Sequence, residues 1–558
     1  MAERLIYLPL GGAGEIGMNA YVYGYGHPGR ERLILVDLGV SFGDMDGSPG
    51  IDLIMPDLAW LEQNRDRLEA IFITHGHEDH LGALGHLYGR LGVPIHARQF
   101  TGALVRLKLE EGGHPSSAVK ITGPRPEVTQ TGPFTVQFVP VSHSIPESSA
   151  LIIDTPAGRI VHTGDFKLDG TPVVGDAFDP IAWHDIASEG RGIKVLTCDS
   201  TNIFSTHPGR SEAMLANPIL DWVMAQKNMI VATTFASNIA RLKTLSDAAI
   251  AGGRKVCLLG RAMRKMVAVG METGVLTDFP DTIGPEEAAG LPRHQVMLLA
   301  TGSQGERRAA SAQLSRGRYL GLMLQEGDSF LFSSKTIPGN EKSVGRIMNA
   351  LSELGVEVYD ADDGFYHVSG HANRPDIEAL HELLKPRIVI PMHGEHLHLR
   401  EHVMMARARG LSAEIATNGT MLDLTGEVPR IVDQVETGRL YLDGTVLIGA
   451  MDGVVRDRIR MALNGHALVS VIVDEEDNVL PDAWVELMGL PGRTRNGEDL
   501  GAHIEGELSE FLEGADARIV RDDAKMDEAI RKITRQVAME EIGKKPEVTV
   551  IISRLMGE

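Results

Sequence analysis

The sequence predicts an α/β protein: a layered domain with reactive groups at its strand ends, an inserted domain on a mainly parallel sheet, and a small α/β domain after it. Three observations carry this. Short apolar runs repeatedly end in His or Asp. Strand-like and helix-like segments alternate between Asp199 and His393. Beyond Asp443 the reactive residues thin out while amphipathic patterning continues.

Taken in order, Leu33-Ile34-Leu35-Val36 ends at Asp37. Ala70-Ile71-Phe72-Ile73 then runs into Thr74-His75-Gly76-His77-Glu78-Asp79-His80, and a small-residue helix starts at Leu81. Residues 136–141 lead to His143, 160–162 through Thr163-Gly164 to Asp165, Val195-Leu196 to Asp199, and 388–391 to His393. Strands fix the backbone while the loops beyond them vary, which is how layered α/β proteins build sites. Any one of these residues alone is better read as a turn former or cap. Three His and one Asp within residues 75–80 are costly to gather without a metal.

Downstream, strand-like runs at 229–232, 256–259, 296–299 and 330–332 alternate with helix-like segments such as 238–251 and 340–354. That pattern predicts βαβ units and a mainly parallel sheet. If His393 returns to the metal site, the first domain is discontinuous: 1–212 and 367–448, interrupted by 213–366. A linker at 449–465 precedes a C-terminal domain at 466–558. The latter holds a strand at 466–473, an acidic turn at 474–478, a strand at 548–552, and a helix over 523–541 with Met526, Ile530, Ile533 and Val537 on one stripe.

At 558 residues the chain is too long for one core. Hydrophobic residues at 43% and charged residues at 23% suit a soluble globular protein. The two cysteines, Cys198 and Cys257, lie in apolar runs, which excludes a disulfide framework and suggests a reducing cytoplasm. The N-terminal stretch lacks the basic start and apolar core of a signal peptide. No run reaches the ~18 apolar residues that would cross a membrane. A formal charge of −22 argues against nonspecific coating of nucleic acid but leaves room for a local basic groove.

His75 and His77, two apart on an extended loop, can face one cation, and His143 adds a third imidazole. Asp79 and His80 can turn to a second cation, which His393 completes, while Asp165 can give one oxygen to each. Zinc suits these ligands, or manganese where oxygens prevail. Two ions about 3.5–4 Å apart activate water near neutral pH and neutralise charge on a phosphoryl oxygen.

His75-Gly76-His77-Glu78-Asp79-His80, with His143, Asp165 and His393, resembles the metallo-β-lactamase superfamily. The inserted domain and Pro391-Met392-His393-Gly394-Glu395 resemble its nucleic-acid-cleaving β-CASP branch. Leu10-Gly11-Gly12-Ala13-Gly14-Glu15-Ile16-Gly17-Met18-Asn19 is similar to ribonuclease J, as are Gly50-Ile51-Asp52, His143-Ser144-Ile145-Pro146, the run from Val161 to Lys167, and Asp199-Ser200-Thr201-Asn202. The resemblance runs from residue 5 to roughly 450; the C-terminal part agrees only in size and position.

The resemblance implies an αββα sandwich with an inserted β-CASP domain. It implies two zinc ions per subunit on His75, His77, Asp79, His80, His143, Asp165 and His393, with Asp79, His80, Asp165 and His367 serving catalysis. Glu78 is left as a helix-start carboxylate. The implied activity is a ribonuclease, both 5′-to-3′ exonuclease and endonuclease, acting in RNA maturation and mRNA decay. Its substrate would be single-stranded RNA with a 5′-monophosphate. The implied enzyme is a cytoplasmic homodimer or homotetramer that can meet other RNA-decay proteins.

The stretch His367-Val368-Ser369-Gly370-His371 places two imidazoles around a Ser-Gly turn, and the resemblance assigns it to the substrate phosphate. Loops at 234–238, 260–261, 301–306 and 333–335 follow strands. Each alone reads as a plain βα turn. Together they would line one sheet edge, where the resemblance suggests a 5′-monophosphate pocket with Ser237, Asn238 and Arg261. Relatives often carry Pro where this chain has Arg307 and Thr336, which leaves the shape of those loops open. Asp44, Asp46, Asp52 and Asp443 suggest either an additional calcium, as in some relatives, or a solvated acidic surface.

Three other readings stand beside the ribonuclease. A β-CASP DNA nuclease is the nearest, since nothing in the sequence shows what reads a 2′-hydroxyl. A small-molecule hydrolase of the same superfamily would not need the inserted domain. A scaffold with a decayed site would have lost ligands, whereas all seven positions are filled.

Overall fold

The computed structural model describes residues 2–337, 339–480 and 483–555. Pro338, two residues after Thr336 in the sequence, lies outside them. The chain forms two compact units: residues 1–41 with 55–439, and residues 42–54 with 440–558.

In the first unit two sheets face each other. One has eight strands in the order Arg430–Gln434, Thr420–Asp423, Arg4–Gly11, Ala20–Gly26, Arg32–Val36, Leu68–Phe72, Ile95–Ala97, Val119–Ile121. The other has seven: Thr129–Thr131, Phe134–Pro140, Ser149–Thr155, Gly158–His162, Ile193–Asp199, Ile388–Met392, Ser412–Ala413. Leu5, Tyr7, Tyr23, Val36 and Phe72 of the first meet Phe134, Phe138, Leu151, Val195 and Ile390 of the second in one continuous core. The opposite face of the second sheet, with Val161, Leu196 and Cys198, buries Trp183, Ile186, Ile377, Leu380 and Met405 of the covering helices. Strands buried on both faces read as unbroken apolar runs, the signal visible in the sequence. The helix Gln99–Glu111 covers the first sheet, burying Phe100, Leu104 and Val105. This is an αββα sandwich.

Ile388–Met392 pairs in parallel with Ile193–Asp199, placing Met392 opposite Asp199. Thr420–Asp423 pairs antiparallel with Arg4–Gly11. The segment after the insertion thus rejoins both sheets. Between these halves lies a five-stranded sheet in the order Lys255–Leu259, Val296–Ala300, Ile230–Thr233, Ser329–Phe332, Glu357–Tyr359, parallel throughout. Apolar clusters cover both its faces. Because the strands are parallel, the loops after four of them share one edge.

The second unit carries a hairpin of Arg439–Asp443 and Val446–Gly449. The helix Val454–Asn464 follows, within the interval read as a linker. Its sheet runs Trp484–Met488, His466–Val473, Glu547–Arg554. The helices Leu500–Glu513 and Asp523–Ile542 pack on one face through Leu500, Ile504, Leu508, Met526 and Ile530. Asp44 accepts from the backbone of Asp46 and Gly47, Asp52 from Gly444, and Asp443 pairs with Arg458. These three carboxylates therefore already have partners.

Candidate metal centre

The strand Leu68–Phe72 delivers the His-rich loop, and a short helix, Glu78–Leu81, takes Asp79 and His80 into its first turn. The neighbouring loop backs it through main-chain bonds from Leu38 to His80, Val40 to Glu78, and Asn19 to Asp79. Gly39 is required for that approach, since a Cβ there would lie 1.7 Å from the Asp79 carbonyl oxygen. Asp37 and His393 both adopt left-handed backbone conformations, at φ 62° and 50°. Such angles in non-glycine residues cluster at functional sites. The His393 amide donates to Gly12, which gives the glycine-rich N-terminal motif its place behind the site.

Two groups of side chains converge. His75, His77, His143 and Asp165 form one, and Asp79, His80, Asp165 and His393 the other, with candidate ligand atoms within 4.8 Å of one another in each. Asp165 belongs to both. One of its oxygens lies 3.7 Å from His75 Nε2, 3.7 Å from His143 Nε2 and 3.3 Å from His80 Nε2; the other lies 2.7 Å from His393 Nδ1. His77 Nδ1 sits 3.1 Å from His75 Nε2 and 3.2 Å from His143 Nε2. All seven residues read as ligands are thus brought together.

The donor chemistry fits divalent cations. His393 Nε2 is buried without a hydrogen-bond partner, 3.4 Å from Asp79 Oδ2. Burial drives His77 towards its neutral, ligating form, with a pKa lowered to about 4 despite Asp79 nearby. Burial opposes charge at His393 too, but Asp165 and Asp79 outweigh it and raise the pKa to about 10.

Several groups that hold these residues were not singled out from sequence as site residues. Asp37 accepts from Thr74 N, Thr74 Oγ1 and His80 Nδ1 at 2.7–2.8 Å. Asn19 Nδ2 lies 3.0 Å from His80 Nε2. Asp199 Oδ2 accepts from His371 Nδ1 at 2.8 Å. Asp37 and Asp199 had a signal, each ending an apolar run; Asn19 and Thr74 had none beyond the motifs around them. Glu78 turns away to Lys108 at 2.8 Å.

Of the stretch 367–371, His371 joins the centre beside Asp165, Asp199 and His393. Gly370 O accepts from His143 Nδ1 at 2.6 Å, and Ser369 Oγ from Asn202 Nδ2 at 2.8 Å. The Val368 side chain packs in the core of the inserted domain. His367 stands outside both groups. Burial, and next Arg241, lower its pKa to about 3, and its Nδ1 is buried without a partner.

At the edge of the parallel sheet, Asn238 caps the helix Ile239–Ala251 by accepting from Arg241 N, with Ser237 beside it. Arg261 opens the helix Arg261–Glu272 and, with Arg264, Arg308, Gly260 and Thr301, lines a cavity of about 210 Å3. The centre and the layered fold around it define a domain of the metallo-β-lactamase class, interrupted by a parallel-sheet domain.

Family models agree. Residues 14–207 match the metallo-β-lactamase superfamily, 227–351 the ribonuclease J β-CASP domain, 364–416 a Zn-dependent metallo-hydrolase RNA specificity domain, and 453–555 the ribonuclease J C-terminal domain. The match therefore continues through the region where the sequence alone offered only size and position. The chain is 38% identical to a ribonuclease J of Sinorhizobium meliloti, over 99% of this chain and 98% of that one. It is 36% identical to ribonuclease J 1 of Streptococcus pyogenes, over 83% and 82%. A solved protein of unknown function from Enterococcus faecalis shares the fold, with a TM-score of 0.53 at 17% identity over 75% of this chain and all of that one. The chain belongs to the ribonuclease J family of metal-dependent ribonucleases. No helix among the described residues is long and apolar enough to cross a membrane.

Proposed function

We propose a two-cation ribonuclease that removes nucleotides 5′ to 3′ from monophosphorylated ends and also cuts internally, in cytoplasmic RNA maturation and mRNA decay. The observation that supports it most is Asp165, shared between two groups that together hold all seven expected ligands. Zinc is the favoured cation, given the five imidazoles, with manganese the alternative. Divalent cations held here supply an acidified water and positive charge for the phosphoryl oxygens.

The protein's own groups do the positioning. Asp37 fixes the ring of His80, and Gly370 O fixes that of His143. Burial opposes charge on His371, but Asp199 and Asp165 outweigh it and raise its pKa; the imidazolium, held by Asp199 through Nδ1–H, can then donate Nε2–H to a phosphate oxygen. Arg241, Lys335 and Lys167 surround His367 with positive charge. Arg261, Arg264 and Arg308 give the sheet edge a cationic recess suited to a terminal phosphate, with Ser237 and Asn238 on the same edge. A gripped end would set the register for removing one nucleotide at a time.

Self-association would belong to the C-terminal domain. The sheet face away from its helices exposes Trp484, Met488, Ile472 and Ile551, an apolar surface that a second copy could cover.

The test is side-by-side digestion of 5′-monophosphorylated, 5′-triphosphorylated and 5′-hydroxyl RNA and of single-stranded DNA. Mononucleotide release fastest from monophosphorylated RNA is expected, and loss of cleavage with folding retained in Asp79→Ala and His77→Ala. Preferential degradation of DNA would favour the DNA-nuclease reading. Activity retained in either pure variant with metal content unchanged would overturn the two-cation assignment.

A further inference from the structure

A second cluster of metal-ligating side chains lies on the other face of the strand that carries Asp199. Successive strand residues point to opposite faces. While Asp199 turns to His371, Cys198 enters the layer beneath the helices Arg374–Leu384 and His396–Ala408. His381 and His402 come from those two helices. All three residues are buried, and one ligand atom from each lies within 4.8 Å of the others.

The imidazoles meet edge to edge, their Nε2 atoms 3.2 Å apart and their rings inclined by 22°. Two nitrogens bound to one zinc at about 2.0–2.1 Å in tetrahedral geometry would stand at nearly that separation. Ser200 Oγ lies 3.3 Å from the Cys198 carbonyl and 2.9 Å from His402 Nδ1. When the hydroxyl donates to the carbonyl, His402 Nδ1–H donates to it and the lone pair of His402 Nε2 faces the cluster. An oxygen on the far nitrogen is how metal-bound imidazoles are usually oriented. A plain N–H···N bond would explain the two rings, but not the sulfur converging on the same point.

We propose that Cys198, His381 and His402 bind a thiophilic d-block cation such as Zn2+, separate from the catalytic pair. A sulfur and two imidazoles select such an ion over magnesium or calcium. The ion would tie the strand Ile193–Asp199 to the two helices that flank His393. Its role is structural: the segments that present Asp199, His371 and His393 gain a common anchor. Burial pushes the Cys198 thiol up, so without a cation the sulfur is a protonated, inert group.

Cobalt distinguishes the two sites, because the catalytic ligands offer only nitrogen and oxygen. Full-length protein is stripped with a chelator, refilled with Co2+ and scanned in the near ultraviolet, where thiolate-to-cobalt charge transfer absorbs. A band is expected in the wild type and in Cys257→Ala, and its loss in Cys198→Ala. Zinc-loaded wild type should hold one equivalent more than Cys198→Ala, whatever the occupancy of the catalytic groups. No band in the wild type, or a band that survives in Cys198→Ala, would overturn the site. If Cys198→Ala fails to fold, the band in Cys257→Ala still assigns the sulfur, since Cys198 and Cys257 are the two cysteines of the chain, and the test is independent of whether the protein cleaves RNA as proposed.

Discussion

Asp37 is fully buried at the end of its strand and accepts three hydrogen bonds, two from Thr74 and one from His80. Replacing it with Asn removes the charge that orients His80. Asp37→Asn should weaken metal retention by roughly 10–100-fold, read by competition with a chelator. His162, buried against Tyr21 and Tyr23, carries a separate pH signature. Burial and then His80 lower its pKa to about 3, against ~6.5 in an unfolded chain. The folded state holds fewer protons, so this contribution to stability is full above pH 6.5 and declines as pH falls towards 3. Its slope is at most about 1.4 kcal/mol per pH unit. Urea titrations between pH 6.5 and 4.5 should therefore show a shallower pH dependence in His162→Gln than in the wild type. The residues between 75 and 80 were legible because their density has no other economical reading. Asn19, Thr74 and His402 were not, since each has a partner distant in the chain: His80, Asp37 and Ser200.

At the scale of elements, the helix Ile239–Ala251 depends on a charge buried inside it. Arg241 is fully buried and grips Glu212 through two bonds of 2.5 and 3.0 Å while donating to the carbonyls of Ser333 and Tyr366. Removing one partner of a buried pair typically costs about 3–5 kcal/mol, because the other charge is left uncompensated. Arg241→Met should lower the urea midpoint accordingly, and Arg241→Met with Glu212→Leu should recover much of the loss. Sequence periodicity disclosed four strands of the parallel sheet because each is a buried apolar run. It missed the fifth, Glu357–Tyr359, which has three residues and no fully buried one. The helix after the His-rich loop begins at Glu78 rather than Leu81. The difference has a cause: the ligand-bearing residues themselves form its first turn, which no apolar stripe could announce.

For the whole molecule, self-association is the property that the C-terminal domain should control. Deleting residues 466–558 should reduce the mass in light scattering to that of one chain. Trp484→Glu, which keeps the domain but charges its apolar sheet face, should do the same; an unchanged mass in both would remove the domain from that role. The pairing of Ile388–Met392 with Ile193–Asp199 agrees with the expectation that His393 rejoins the earlier ligands. The helix Val454–Asn464 was not foreseen; its charged residues outweigh the apolar ones in hydropathy, and only Val455 in it is buried.

That late return has a consequence for biosynthesis. Ribosomes add roughly 5–20 residues per second, so tens of seconds separate the emergence of His75 from that of His393. The strand before His393 must also slide in beside Ile193–Asp199 before the sheet closes. On the two-cation reading, a nascent chain stays harmless to the transcript still threading through its ribosome, and acquires its cutting power only once most of its own message has been read.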